Sequence, residues 1–272
     1  MSAPSAPRDA AVTIVWRDAR LAVIDKPAGV AVHRGWAAGG DDDEPLLQRV
    51  RGLIGAHVWL INRLDRGASG AVLFALDAEA AAAANELFSG GTVQKRYLAI
   101  TRGHPPEHAV IDHAIPREPG GERVPAVTEI WRRDTFGRYA LVEAHPRTGR
   151  LHQIRRHLKH LSCPLIGDVK YGKGEHNRLF RAEHGLHRLA LHASGLAFEH
   201  PFGGGRVEVE VPLAADLVGA IASAKAAYAG LGSPAGDVGP RASDPGERGV
   251  EPRAREDAAR DGEGDGRGSI DG

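Results

Sequence analysis

The hydrophobic pattern of the chain changes character many times, and each change marks an element. Val12 to Val15 and Leu21 to Asp25 read as strands around the Arg17-Asp18-Ala19-Arg20 turn, with Lys26-Pro27-Ala28-Gly29 closing the second. The acidic segment Gly39 to Glu44 reads as a loop. Pro45 then opens a helix with Leu46, Leu47, Val50, Leu53 and Ile54 on one face. The apolar run Ala71 to Leu76 predicts a strand. Asp77 caps an alanine-rich helix that runs to Phe88 and stops at Gly90-Gly91. Val93 to Thr101 predicts another strand, followed by a polar, proline-rich connection to about Pro125. Val127 to Asp134 and Tyr139 to Ala144 alternate as antiparallel strands do. A helix from Leu151 to about Leu161, a loop rich in charge and glycine, and strands at 189–198 and 206–211 complete the pattern.

Strands and helices mix without a regular alternation. That predicts an α+β fold, a mixed and mainly antiparallel sheet with helices packed on it. No internal repeat is evident. With 272 residues, 42% of them apolar, the chain can build one sizeable core or two small ones. Residues 1–11 are small, polar and proline-containing and are expected to be disordered. Residues 232–272 hold ten glycines, four prolines and no aromatic side chain, too little apolar surface to fold. The folded unit is expected over 12–231.

Formal charge is zero, but it is unevenly spread. The 232–272 tail carries 10 acids against 6 bases, whereas residues 131–190 carry 13 Lys/Arg against 5 Asp/Glu, with 7 histidines besides. Such a local basic excess suits nucleic acid, although a solvated basic face would look the same. The single cysteine, Cys163, excludes an internal disulfide and any multi-cysteine metal site. No apolar run approaches a membrane span, and Met1 to Ala11 lacks a signal-peptide core. A soluble, cytoplasmic protein is the expectation.

Against this background one loop stands out, Asn62-Arg63-Leu64-Asp65-Arg66-Gly67-Ala68-Ser69-Gly70. It sets a lone carboxylate between two arginines, whose charges favour the ionised form. Gly67 and Gly70 let the backbone turn sharply and let a ligand come close. A surface ion cluster would share these features. Two further segments bear on Asp65. In Lys95-Arg96-Tyr97-Leu98-Ala99-Ile100, strand alternation puts Leu98 and Ile100 on one face and Tyr97 with Lys95 on the other, where they can line a cleft. In Arg147 to Leu161, helical spacing puts Leu151, Ile154, Leu158 and Leu161 on an apolar face with Arg155 at its edge. A half-buried arginine needs a carboxylate, and Asp65 is the candidate. His152, His157 and His160 spread too far around that helix to share a metal.

These segments resemble the RluA family of pseudouridine synthases, whose signature loop is His-Arg-Leu-Asp-Arg-x-x-Ser-Gly. The resemblance extends to Lys95-Arg96-Tyr97, to Thr148 to Arg155, to Lys26-Pro27-x-Gly29 with Val32-His33, to Pro164 to Asp168, and to Leu191-His192-Ala193 ahead of His200-Pro201. Together these matches span about residues 12–212. Val32-His33-Arg34-x-Trp36, Arg155 to Leu161, and Asn177-Arg178 with His184-x-Gly-Leu186 bring the chain nearest the branch that modifies a uridine at position 65 of tRNA. One position departs: Asn62 stands where the family usually has His. Lying three residues before the acid, its side chain is expected to support the loop, keeping a donor and an acceptor but losing ring stacking.

The resemblance implies a pseudouridine-synthase fold with a central RNA-binding cleft, and isomerisation of uridine to pseudouridine with no cofactor and no metal. It implies catalytic roles for Asp65, Tyr97 and Arg155. Asp65 would attack C1′ or remove a ribose proton, Arg155 would orient it, and Tyr97 would stack on the flipped uracil. Arg63 would fill the stack that the base vacates. Arg66, Lys95, Arg150 and His152 are the further substrate contacts expected. RNA is the expected partner of a monomeric protein that does not engage membranes. Within the family, ribosomal RNA is the alternative substrate, and two other classes compete. A non-catalytic RNA-binding protein would not need Asp65, Tyr97 and Arg155 together. A glycosidase or nucleoside hydrolase would need paired carboxylates, and Asp168 shows no sequence sign of lying near Asp65.

Overall fold

The computed structural model describes residues 11–33, 44–118 and 120–229. The stretches expected to be disordered, 1–11 and 232–272, lie outside these residues apart from residue 11, as does the acidic 39–44 loop apart from Glu44. Arg34 and Trp36 also lie outside them.

In chain order the elements are β1 (Thr13–Arg17), β2 (Leu21–Lys26), α1 (Leu46–Ile54), β3 (Trp59–Leu60), β4 (Ser69–Ala75), α2 (Ala78–Ser89) and β5 (Gln94–Arg102). Next come β6 (His108–Asp112), β7 (Ile115–Pro116), β8 (Arg123–Val124), β9 (Val127–Phe136) and β10 (Tyr139–Pro146). The chain continues through α3 (Gln153–His160), α4 (Gly174–Glu183), β11 (Leu191–Glu199), β12 (Arg206–Glu210) and α5 (Ala215–Tyr228).

Among the described residues, ten strands form one sheet in the order β1-β2-β4-β11-β5-β10-β9-β6, with β3 added to β4 and β12 to β11. β7 and β8 make a separate ribbon. Only β4 and β11 run parallel; every other pairing is antiparallel, so the sheet is the mixed one expected. β4 is buried at all seven positions. Ala71, Leu73 and Ala75 pack with Ala80, Ala81 and Ala84 of α2 on one face; Val72 and Phe74 pack with Ile24, Leu46 and Val50 on the other. Cover on both faces explains why this strand reads as a continuous apolar run instead of an alternation. Asp77 caps α2 as expected, its Oδ1 accepting from the Ala80 amide at 2.8 Å.

Four expectations need correction. The connection before Pro125 is not irregular, for it contains β6, β7 and β8. As an edge strand, β6 buries only Ile111 and leaves Val110 half exposed, so its apolar signal is weak. The loop after Leu161 contains α4, a polar helix that buries only His176 and Phe180. A final helix, α5, follows the last strand and packs Leu217, Ala220, Ile221 and Ala224 inward, a spacing that was legible. Leu53 of α1 faces solvent.

Candidate active site

The loop from Asn62 to Gly70 is pinned from three sides. Asn62 Oδ1 accepts from the Leu73 amide at 2.7 Å, tying the start of the loop to β4. At its end, Ser69 Oγ meets His192 Nδ1 at 2.8 Å in the interior, and the parallel register sets Ser69 and Gly70 opposite His192 and Ala193. Gly70 has φ 107°, and a Cβ there would overlap the Ala193 backbone. At Gly67 a Cβ would lie 3.0 Å from Leu189 Cβ. These glycines therefore admit β11 and the segment before it; the expected approach of a ligand is not their role. On the third side, Arg66 exchanges two bonds with Gly29, Gly29 N to Arg66 O and Arg66 Nε to Gly29 O, both at 2.8 Å.

Beneath that clasp lies Lys26, fully buried, its ammonium donating to the carbonyls of Pro27 (2.8 Å), Val30 (2.9 Å) and Arg66 (3.3 Å). Burial, with Arg188 nearby, lowers its pKa to about 7 against the opposing pull of Asp65 and Asp25. So constrained, the loop holds Asp65 toward α3.

Arg155 meets it there. Its Nη1 donates to Asp65 Oδ2 at 2.8 Å, while Nε and Nη2 donate to Asp168 Oδ2 and Oδ1 at 2.7 and 2.8 Å. Asp168, for which no sequence signal indicated proximity to Asp65, thus stands directly behind the arginine they share. It is 1% exposed, and its Oδ1 also accepts the amides of Lys170 and Tyr171 at 3.0 Å. Burial pushes its pKa up, but the Arg155 fork and these amides outweigh that and hold it below the usual carboxylate range. With both oxygens occupied, Asp168 is an anchor and not a second reacting carboxylate.

The Thr148 to Arg155 segment folds around one buried glutamine. Gln153 Oε1 accepts from Thr148 Oγ1 (2.6 Å) and the Arg150 amide (3.0 Å); its Nε2 donates to Val127 O and Thr128 Oγ1, both at 2.9 Å. This ties the turn to β9 and starts α3 at Gln153, two residues later than expected. His152 is left just ahead of the helix at φ 54°, a left-handed conformation that costs a non-glycine residue about 1–2 kcal/mol. Its Nε2 stands 3.5 Å from Asp65 Oδ1 and its Nδ1 3.1 Å from the Tyr171 hydroxyl. Burial lowers its pKa, more than neighbouring Asp65 raises it. The other histidines of α3 go elsewhere: His157 to Thr128 and the His113 carbonyl, His160 onto the His113 ring.

Asp65, Tyr97 and Arg155 line one cleft of about 850 Å³. Tyr97 lies opposite Ala144 of β10 and Ala193 of β11, and burial, followed by the charge of Asp65, raises its pKa. It is therefore a neutral phenol across the physiological range. Of the expected substrate contacts, Arg63, Lys95, Arg150 and His152 line the cleft; Arg66 does not, being committed to Gly29. Arg117 and Arg147 also line it, and the sequence did not single them out. Nor did it single out Tyr171, although the Gly167-Asp168-x-x-Tyr171 spacing was there to be read.

One carboxylate held by an arginine, with a partly buried tyrosine on the same cleft and arginines around it, suits chemistry on a polyanion. Residues 20–160 match the family model for RNA pseudouridylate synthase. The chain is 39% identical over 210 residues to tRNA pseudouridine synthase C of Vibrio parahaemolyticus (70% of this chain, 85% of that protein) and 40% identical over 210 residues to the protein of that name from Haemophilus ducreyi (69% and 85%). Among solved structures it is similar to human RNA pseudouridylate synthase domain containing 4, with TM-score 0.64 and 28% identity (78% of this chain, 92% of that one). Human RNA pseudouridylate synthase domain containing 1 gives TM-score 0.64 and 26% identity (78% and 86%). The chain belongs to the RNA pseudouridylate synthase family. It is an isomerase, an RNA pseudouridine synthase.

Proposed function

We propose that this synthase acts on tRNA, at the uridine of position 65, through Asp65, Tyr97 and Arg155. The observation that carries the reading is the Arg155-held Asp65 lining the same cleft as Tyr97. The reaction breaks the N1–C1′ bond of uridine, turns the uracil, and joins C5 to the same carbon; the C5 proton leaves to solvent and N1 takes one up, so atoms and electrons balance without a cofactor or metal. Asp65 acts at the ribose, by attack on C1′ or by removal of a ribose proton. Arg155 fixes the direction of its carboxylate. Tyr97 stacks on the extruded uracil, and Arg63 fills the space it leaves. Lys95, Arg117, Arg147 and Arg150 meet phosphates, and the affinity they supply falls steeply with salt. The tRNA assignment rests on the tRNA synthases to which the chain is similar, and position 65 on the motifs of that branch. Residues 12–231 are the synthase domain, acting as a cytoplasmic monomer; no helix among the described residues is long and apolar enough to cross a membrane.

Tritium release from tRNA labelled at uracil C5, followed by mapping of the product, tests the whole reading. Release with pseudouridine at position 65 supports it. Free uracil would replace isomerisation by hydrolysis, and product in ribosomal RNA alone would move the substrate but not the chemistry.

A further inference from the structure

The Tyr171 hydroxyl lies 3.0 Å from Arg156 Nε and 3.1 Å from His152 Nδ1. A guanidinium carries no acceptor, so Arg156 donates and the phenol oxygen accepts. Arg156 is itself anchored, its Nη1 donating to the Pro116 carbonyl at 2.7 Å. The phenol's own proton is then available to His152 Nδ1. A neutral imidazole whose Nδ1 accepts must carry its proton on Nε2. That nitrogen is the one 3.5 Å from Asp65 Oδ1, while Asp65 Oδ2 is taken by Arg155.

The backbone points the same way. His152 is one of two non-glycine residues at positive φ among those described, and its side chain makes no capping bond to α3. A residue persists in that region when its surroundings over-determine it, and such residues gather at active sites. Tyr171 also lies against the other holder of Asp65, with its ring centre 5.1 Å from the Arg155 guanidinium.

We propose that Tyr171 is a positioning residue: it fixes the His152 proton on Nε2 and so aims an N–H at Asp65 Oδ1. His152 and Arg155 then hold the two oxygens of the catalytic carboxylate separately. The relay runs from the Pro116 carbonyl through Arg156, Tyr171 and His152 to Asp65. It deepens the isomerase reading and rests on Asp65 as the reacting group. Burial keeps the imidazole neutral near pH 7, as the relay requires. The 3.5 Å separation needs to shorten by only about 0.5 Å to reach ordinary hydrogen-bond length.

Tyr171→Phe keeps the ring over Arg155 and deletes only the hydroxyl. Its kcat is expected to fall about tenfold with KM for the RNA nearly unchanged. In a His152→Gln background the amide donates an N–H that depends on no tautomer. There the added Tyr171→Phe should change kcat by less than about twofold. Nitrogen-15 NMR of histidine-labelled protein, with His152 assigned by its loss in His152→Gln, should show a bare Nδ1 and a protonated Nε2, and mixed tautomers in Tyr171→Phe. Undiminished kcat in Tyr171→Phe, a loss confined to KM, equal losses in both backgrounds, or a protonated Nδ1 in the unmodified protein would each overturn the relay. An unmodified protein that makes no pseudouridine sinks the isomerase reading instead, and the NMR measurement still decides the tautomer.

Discussion

Asp168 grips Arg155 at two points, Oδ2 on Nε at 2.7 Å and Oδ1 on Nη2 at 2.8 Å, and thereby turns the remaining Nη1 onto Asp65. The guanidinium is planar, so two fixed bonds on one edge fix the direction of the third donor. Asp168 is in turn locked by the amides of Lys170 and Tyr171. Orientation passes from a turn to a buried carboxylate, then through an arginine to the carboxylate that faces the cleft. The arginine is raised well above its ordinary pKa: burial opposes its charge, but Asp168 and Asp65 together outweigh burial.

Asp168→Asn keeps the shape of the anchor and removes its charge. It should destabilise the fold by about 2–3 kcal/mol, since Arg155 stays buried with only one carboxylate left. Single-turnover rate should fall at least about tenfold while RNA affinity holds. Urea unfolding and rapid-quench assays measure the two effects, and an unaltered rate would remove Asp168 from the orienting chain.

Arg155→Lys preserves the charge but not the fork. An ammonium cannot span Asp168 and Asp65 in fixed directions. Turnover is expected to drop by about a hundredfold with RNA affinity little changed. Near-normal turnover would mean that charge alone suffices at this position.

Asp65→Asn and Asp65→Ala should abolish pseudouridine formation and leave RNA binding within about threefold, because the cationic rim is intact. Gel-shift affinity and tritium release separate the two. Continued product formation in either variant would take the bond chemistry away from Asp65.

Tyr97 and Arg155 were legible because each sits in a segment whose local period gives its direction, and Asp65 because two arginines and two glycines mark its loop. Tyr97 takes the face opposite Ile100 in a strand, and Arg155 the edge of an apolar helix stripe. Asp168 and Tyr171 were not legible as members of the site, because a turn brings them there. Gly167 lies at φ 74° against the Arg188 backbone, where a Cβ would overlap it, and this turn folds the chain back onto α3. Periodicity carries no such information. β6 and α4 escaped for a related reason, since an edge strand and a polar helix bury too few side chains to imprint a pattern. The glycines of the 62–70 loop were noticed but misread: a positive φ and a close approach look alike in sequence whether the neighbour is a ligand or β11.

Asn62 replaces a strand neighbour for β4, since the Leu73 amide finds its acceptor in this side chain at 2.7 Å. Asn62→Ala leaves that N–H unmatched and should cost about 1–2 kcal/mol, with a several-fold loss of kcat as the loop ahead of Asp65 loosens. Asn62→His supplies an acceptor in Nδ1 and should recover most of both. Thermal unfolding and steady-state kinetics of the pair decide the matter. Equal losses in the two variants would show that the ring cannot reach the amide.

Lys26 ties pH to the stability of the same loop. Its pKa is about 7 in the fold, against an ordinary lysine value of 10.5 once unfolded. Between these values the unfolded chain binds more protons than the folded one, so stability rises with pH across that window and is lost again as pH falls toward 7. The slope is on the order of 1.4 kcal/mol per pH unit from this residue alone. Lys26→Met abolishes that contribution and leaves the carbonyls of Pro27, Val30 and Arg66 without their donor, a cost of about 2–4 kcal/mol. Urea unfolding of both proteins at about pH 7.5 and 9.5 cancels every other titration in the difference, and the gap between them should widen at the higher pH. A constant gap would mean that Lys26 stays charged in the fold throughout, held so by its three carbonyl acceptors.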